Sequence, residues 1–177
     1  MFVSPSYRFA VKFLKELLKR ARNLYLNVLR KNKTWKIDID NFTKEFILNA
    51  KIINETTLVV DKVVYKYVII YAYDANHHKS FDPKQIKVGN IYVEQLPPEK
   101  STRTNTAAPP VFYEMRIGNK VCKLSFGVIG FVVSSYYLMG WTCKVCGNVY
   151  KMIITLTNKS GYWSEVWLIL MKSSEIK

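Results

Sequence analysis

The sequence predicts an α+β fold: a long N-terminal amphipathic helix, with a short second helix behind it, packed on a mainly antiparallel β-sheet or small barrel whose open face the helix covers. Three observations lead there. Apolar residues recur at helical spacing from Ser4 to Lys31, with no Gly or Pro after Pro5. From Thr57 onward the texture changes to Val, Ile and Tyr, the residues that fit a pleated surface. Short Gly- and Asn-containing turns then divide that β-rich half at strand-length intervals.

The first helix starts at Ser4-Pro5, a cap residue followed by a proline at the position where a missing N–H costs nothing. Ala10, Phe13, Leu14, Leu17, Leu18, Ala21, Leu24, Tyr25 and Val28 form a wide apolar arc along it. On the opposite side Lys12, Lys15, Lys19 and Arg22 fall within about 40° of Arg8 at helical spacing, making one cationic ridge. Arg20 flanks it, and Arg30, Lys31 and Lys33 end it, where cations also suit the negative end of the helix dipole. Asp38 to Ala50 reads in two ways: Asp40 or Asn41 caps a short second helix carrying Phe42, Phe46 and Ile47, the favoured reading, or the segment is the first strand.

Strands are expected at Leu58–Val60 and Val63–Tyr73, with Asp61-Lys62 as a turn or bulge between them, and at Ile86–Leu96 with a Gly89-Asn90 turn. Asp74 to Pro83 reads as a loop. Phe112–Ile117 and Lys120–Phe126 around Gly118-Asn119 form a hairpin, since both turn residues tolerate positive φ. A second hairpin joins Tyr150–Thr157 to Tyr162–Met171. Leu124 to Cys143 carries no charge and reaches membrane-span length, but its glycines, serines, valines and tyrosines suit buried strands better. The whole chain, 1–177, reads as a single domain with a helical part at about 4–50, a β part at about 57–172 and a Pro/Thr-rich loop at 97–110.

The net charge is +14, and residues 1–33 supply +8 of it, with Glu16 their one acid. Such an imbalance points to a polyanion, either nucleic acid or an anionic membrane surface. Interrupting charges at Arg8, Lys12, Lys15 and Glu16 argue against a signal peptide. With only three cysteines the chain reads as intracellular, cytoplasmic or nucleoid-associated, or as carried inside a virus particle. Lys in excess of Arg and plentiful Ile, Asn and Tyr suggest an AT-rich genome, as in many viruses and some thermophiles.

Cys143-Lys144-Val145-Cys146-Gly147 is the sharpest local motif, and it resembles half of a zinc ribbon. Three readings stay open. Cys122, Cys143, Cys146 and His77 supply four ligands for zinc; a disulfide links Cys143 to Cys146 or involves Cys122; or the thiols are inert. Asp74, His77, His78 and Asp82 match no metal or acid–base motif of an enzyme, so a small metal-dependent nuclease is the weakest reading. Phosphate loops, G-x-S-x-G and H-E-x-x-H are absent, which leaves an enzyme in the minority.

The function expected from these residues is non-enzymatic, largely sequence-independent nucleic-acid binding. Arg8, Lys12, Lys15, Lys19, Arg20, Arg22, Arg30 and Lys31 would meet phosphates. Tyr65, Tyr67, Tyr71, Tyr73 and Tyr92 are candidates to stack unpaired bases, with a role in the β core as the simpler reading. The alternative is a structural or assembly protein, viral or cellular, that self-associates through its aromatic-rich β portion.

Overall fold

The computed structural model describes residues 4–31, 37–98, 110–127 and 137–173. Of these, 52% lie in strands and 25% in helices, arranged as two sheets and two helices. The fold is therefore mainly β and not the α+β arrangement that the long helix suggests. The order is α1 (Pro5–Arg30), β1 (Ile37–Ile39), α2 (Asn41–Asn49), β2 (Ala50–Ile52), β3 (Thr57–Val60), β4 (Val63–Asp74), β5 (Lys79–Phe81), β6 (Gln85–Val88), β7 (Ile91–Gln95), β8 (Val111–Ile117), β9 (Lys120–Phe126), β10 (Leu138–Cys146), β11 (Val149–Thr157) and β12 (Trp163–Lys172).

The larger sheet runs β1-β10-β11-β12-β4-β3-β2, with β5 paired to the far end of β4. All its pairs are antiparallel except β1 with β10, which is parallel. Its curl follows from chain length. Seven flat strands would hold β1 and β2 about 29 Å apart, at ~4.8 Å per step. Yet α2 joins those two edges, and its nine residues span only about 14 Å. The sheet therefore bends into a half-barrel, with α1 in its hollow.

Local chemistry explains the helix ends. Ser4 Oγ accepts from the Tyr7 amide at 3.2 Å and Pro5 opens α1, as the sequence predicts. Asp40 caps α2, one carboxylate oxygen accepting from Thr43 N and the other from Thr142 N, both at 2.8 Å. One side chain thus ties α2 to β10. Gly140 lies beneath α2, and a Cβ there would come within 2.6 Å of Thr43 Cγ2. The close approach needs a residue without a side chain.

The two faces of the half-barrel carry different neighbours. On the concave face Tyr7 packs edge-on to Phe81, Phe42 of α2 stacks on Tyr150, and Phe46, Ile47, Leu14 and Leu17 are fully buried. On the convex face lies the second sheet, an antiparallel meander β6-β7-β8-β9. Phe126 of β9 stacks on Trp167 at 5.2 Å between ring centres, and Trp167 meets Tyr71 at 4.5 Å. Lys151 donates to the Ser125 carbonyl, and a disulfide joins Cys122 of β9 to Cys146 of β10. β12 is buried from Ser164 to Met171 because both of its faces are covered.

Both expected hairpins are present, with Gly118 at φ +57° and Gly161 at +84° in their turns. Asp61 and Lys62 form the tight β3–β4 turn, both at positive φ, and the short helix at Asp40–Asn41 forms as expected. Three short strands depart from the reading: β1 falls inside the part taken as helical, β2 begins where that part ends, and β5 lies inside the loop from Asp74 to Pro83. Three residues are too few to show a period of two. The uncharged run from Leu124 to Cys143 begins in β9 and ends in β10, and residues 128–136 of it lie outside the described residues. So does most of the Pro/Thr-rich loop, residues 99–109. Among the described residues no helix is long and apolar enough to cross a membrane.

Candidate functional site

The apolar arc of α1 is buried along Tyr7, Ala10, Val11, Phe13, Leu14, Leu17, Leu18, Ala21 and Val28, which fixes the opposite side as solvent-facing. Arg8, Lys12, Lys15 and Lys19 are all exposed on that side, over about 17 Å of helix at 1.5 Å per residue. None of the four forms an ion pair with a carboxylate of the described residues. Arg30 and Lys31 are exposed at the far end, and Leu26 and Leu29 stand beside them, more than 40% exposed.

Two of the expected cations are placed differently. Arg20 is half-buried. Arg22 turns toward α2, its Nε donating to the Ile47 carbonyl at 3.1 Å. That carbonyl lies in the last turn of α2, where no helical N–H remains to satisfy it, so Arg22 serves as a link between helices. Helical spacing puts Arg22 on the ridge but carries no information about a neighbour 25 residues away. The structure also adds a cation that spacing does not reveal. Lys79 of β5 rests over the ring of Phe9, 4.3 Å from its centre, and widens the cationic surface at the start of α1.

The tyrosines expected to stack bases divide. Tyr65 and Tyr67 are buried, and Tyr67 donates to the Asn54 carbonyl at 2.6 Å, so neither ring is offered to a base. Tyr71, Tyr73 and Tyr92 are half-buried. Tyr71 lies against Trp167, and its hydroxyl pKa is pushed up to about 12 by burial, with Glu165, Asp82 and Tyr73 adding to the effect. Tyr92 lies under the Arg116 guanidinium.

Cys122, Cys143, Cys146 and His77 do not converge. Cys122 and Cys146 are bonded to each other, leaving no thiolate to give a metal, and Cys143 is free and exposed. His77 Nδ1 is instead 2.7 Å from a carboxylate oxygen of Asp74, in the turn between β4 and β5. Among the described residues no group of three or more His, Cys, Asp or Glu side chains is placed to hold a metal ion. Asp74 is 4% exposed and also accepts from the Asn76 amide at 3.0 Å, so it shapes the turn, while His77, His78 and Asp82 face solvent.

A docked helix with an exposed cationic ridge, carried by a curled β-sheet, defines the class: a basic, mainly-β protein with its charge on a rigid element. Residues 15–160 match the family model described as Domain of unknown function (DUF8362), and the chain belongs to that family. The match runs from the middle of α1 to the turn between β11 and β12, so it includes Lys15, Lys19 and all three cysteines. No curated protein and no solved structure matches the chain.

Proposed function

We propose that this protein binds nucleic acid without enzymatic action and largely without regard to sequence, by setting the α1 ridge against phosphates. The observation that supports this most is the set Arg8, Lys12, Lys15 and Lys19, without an ion pair among the described residues and exposed in one row on a helix whose other side is buried. Lysine suits such a role, because a mobile point charge meets phosphate without demanding a fixed geometry. A ridge of this kind gains its affinity from counterion release, so salt governs it. Four phosphate contacts on duplex DNA give a slope of about −3.6 in log affinity against log salt.

The test is a titration with duplex DNA, single-stranded DNA and RNA at low and moderate salt. Binding is expected at low salt, weakening about 150-fold between 50 and 200 mM for four contacts. The combined variant Arg8→Glu, Lys12→Glu, Lys15→Glu, Lys19→Glu is expected to lose it. Absence of binding at low salt, or binding that the charge reversal leaves untouched, overturns the proposal.

A second reading draws on Leu26 and Leu29. Two exposed leucines beside Arg30 and Lys31 on the same helix also suit an anionic membrane surface, where apolar side chains enter the headgroup boundary and cations meet lipid phosphates. Co-sedimentation with phosphatidylserine vesicles, lost in Leu26→Ser, Leu29→Ser while nucleic-acid binding persists, would favour that surface over the first.

A further inference from the structure

Three of the two-residue turns in this fold have the same sequence. Gly89-Asn90, Gly118-Asn119 and Gly147-Asn148 join β6 to β7, β8 to β9 and β10 to β11, with the glycines at φ +62°, +57° and +50°. Two belong to the meander and one to the half-barrel, yet Asn90, Asn119 and Asn148 all border one cleft of about 610 Å³ between the two sheets. Its walls are Met115, Ile117, Val149 and Met171, and the Cys122–Cys146 disulfide lies against it. Its volume falls in the ~300–1,000 Å³ range of small-molecule sites, which are commonly apolar with a few convergent polar groups.

The polar groups at its border decide the ligand's charge. They are the three asparagine amides, the backbone of the glycine turns and the exposed ammonium of Lys120, and among the described residues no carboxylate lines the cleft. The amides donate and accept alike, so the charge preference comes from Lys120, whose ammonium favours an acceptor carrying negative charge. The walls offer nothing to a polar body and adaptable methionine contacts to an aliphatic one. We propose that this cleft binds a small amphipathic carboxylate, its hydrocarbon chain between the two sheets and its head group at Lys120 and the asparagines.

The cleft opens on the convex side of the half-barrel, whereas α1 lies on the concave side, so this site and the cationic ridge fail or stand separately. The probes are dodecanoate, dodecanol and dodecylammonium, one chain with three head groups, each kept below its micelle-forming concentration and titrated against the full chain by calorimetry. Dodecanoate is expected to bind saturably at one site and dodecylammonium not to bind there. Lys120→Glu is expected to weaken dodecanoate about tenfold, a loss typical of a partly exposed charge contact turned repulsive. Ile117→Trp fills the cleft from a half-buried position on the inner face of β8 and is expected to abolish binding. Circular dichroism of both variants checks that the sheets are intact. Absence of saturable binding, binding that Ile117→Trp leaves unchanged, or dodecylammonium or dodecanol binding as tightly as dodecanoate overturns the proposal.

Discussion

The two coverings of the half-barrel are held by different means. On the concave face the helices are attached by a continuous apolar arc, with polar ties that include Tyr7 to Ile69 N, Asp40 to Thr142 N and Thr43 to the Thr142 hydroxyl, while Arg22 links α1 to α2. On the convex face the meander buries side chains such as Val88, Val93, Tyr113, Met115, Leu124 and Phe126, and adds one lysine and one covalent bond. The helical side is thus held by noncovalent contacts alone, whereas the meander also has a single covalent tie. Loss of that tie should therefore be felt more sharply than loss of any one polar contact on the concave side.

The largest expected effect follows from the covalent bond. Cys122 and Cys146 close a loop of 24 residues, and releasing such a loop costs about 3 kcal/mol on a chain-entropy account. The double variant Cys122→Ala, Cys146→Ala should lose that much in urea unfolding and should no longer respond to reductant, whereas the unaltered protein should move toward it when reduced.

Asp40→Ala tests the helical side. It removes the cap of α2 and a hydrogen bond to β10 together, and about 2 kcal/mol is expected from a cap plus one charged hydrogen bond. A loss larger than that of the disulfide variant would reverse the ranking of the two faces.

The smallest effect has the opposite sign. Glu165 sits on the convex face of β12, 8% exposed, and burial raises its carboxyl pKa while the Trp167 indole and the Thr155 hydroxyl pull the other way. A carboxyl whose pKa is higher folded than unfolded stabilises the fold fully at pH below its unfolded value and loses that contribution as pH rises through the folded one. Glu165→Gln should therefore raise stability at neutral pH and flatten the decline above the ordinary carboxylate range, as followed by thermal melts across pH.

These two faces were also unequally legible in the sequence. The concave one is announced by local rules: Ser4-Pro5 starts α1, the apolar arc shows which side docks, and Asp40 starts α2. Turn residues announced most of the strands, because Gly118-Asn119 and the segment from Asn158 to Gly161 act within a few residues of themselves. Nothing in a strand's own alternation says which sheet it joins, however. The β6–β9 meander has the same texture as β10–β12, and only the packing of Phe126 on Trp167, 41 residues apart, separates the two sheets. The same holds for the site. The ridge of Arg8, Lys12, Lys15 and Lys19 was readable from helical spacing, whereas the diversion of Arg22, the arrival of Lys79 and the pairing of Cys122 with Cys146 depend on contacts that span the chain.

Tyr7 has a mechanical consequence for α1. Its hydroxyl accepts from the Ile69 amide at 3.0 Å, on the stretch of β4 that neither β3 nor β5 pairs with. The phenol stands in for a strand at that point, covering the Ile69 donor against another chain's backbone. It also works as a key in a slot. Turning α1 about its axis, or sliding it by one 5.4 Å turn, would strip a buried N–H of its partner at a cost of about 1–3 kcal/mol. The azimuth of the 26-residue helix, and with it the direction in which its charges point, is indexed by one phenol near its first turn.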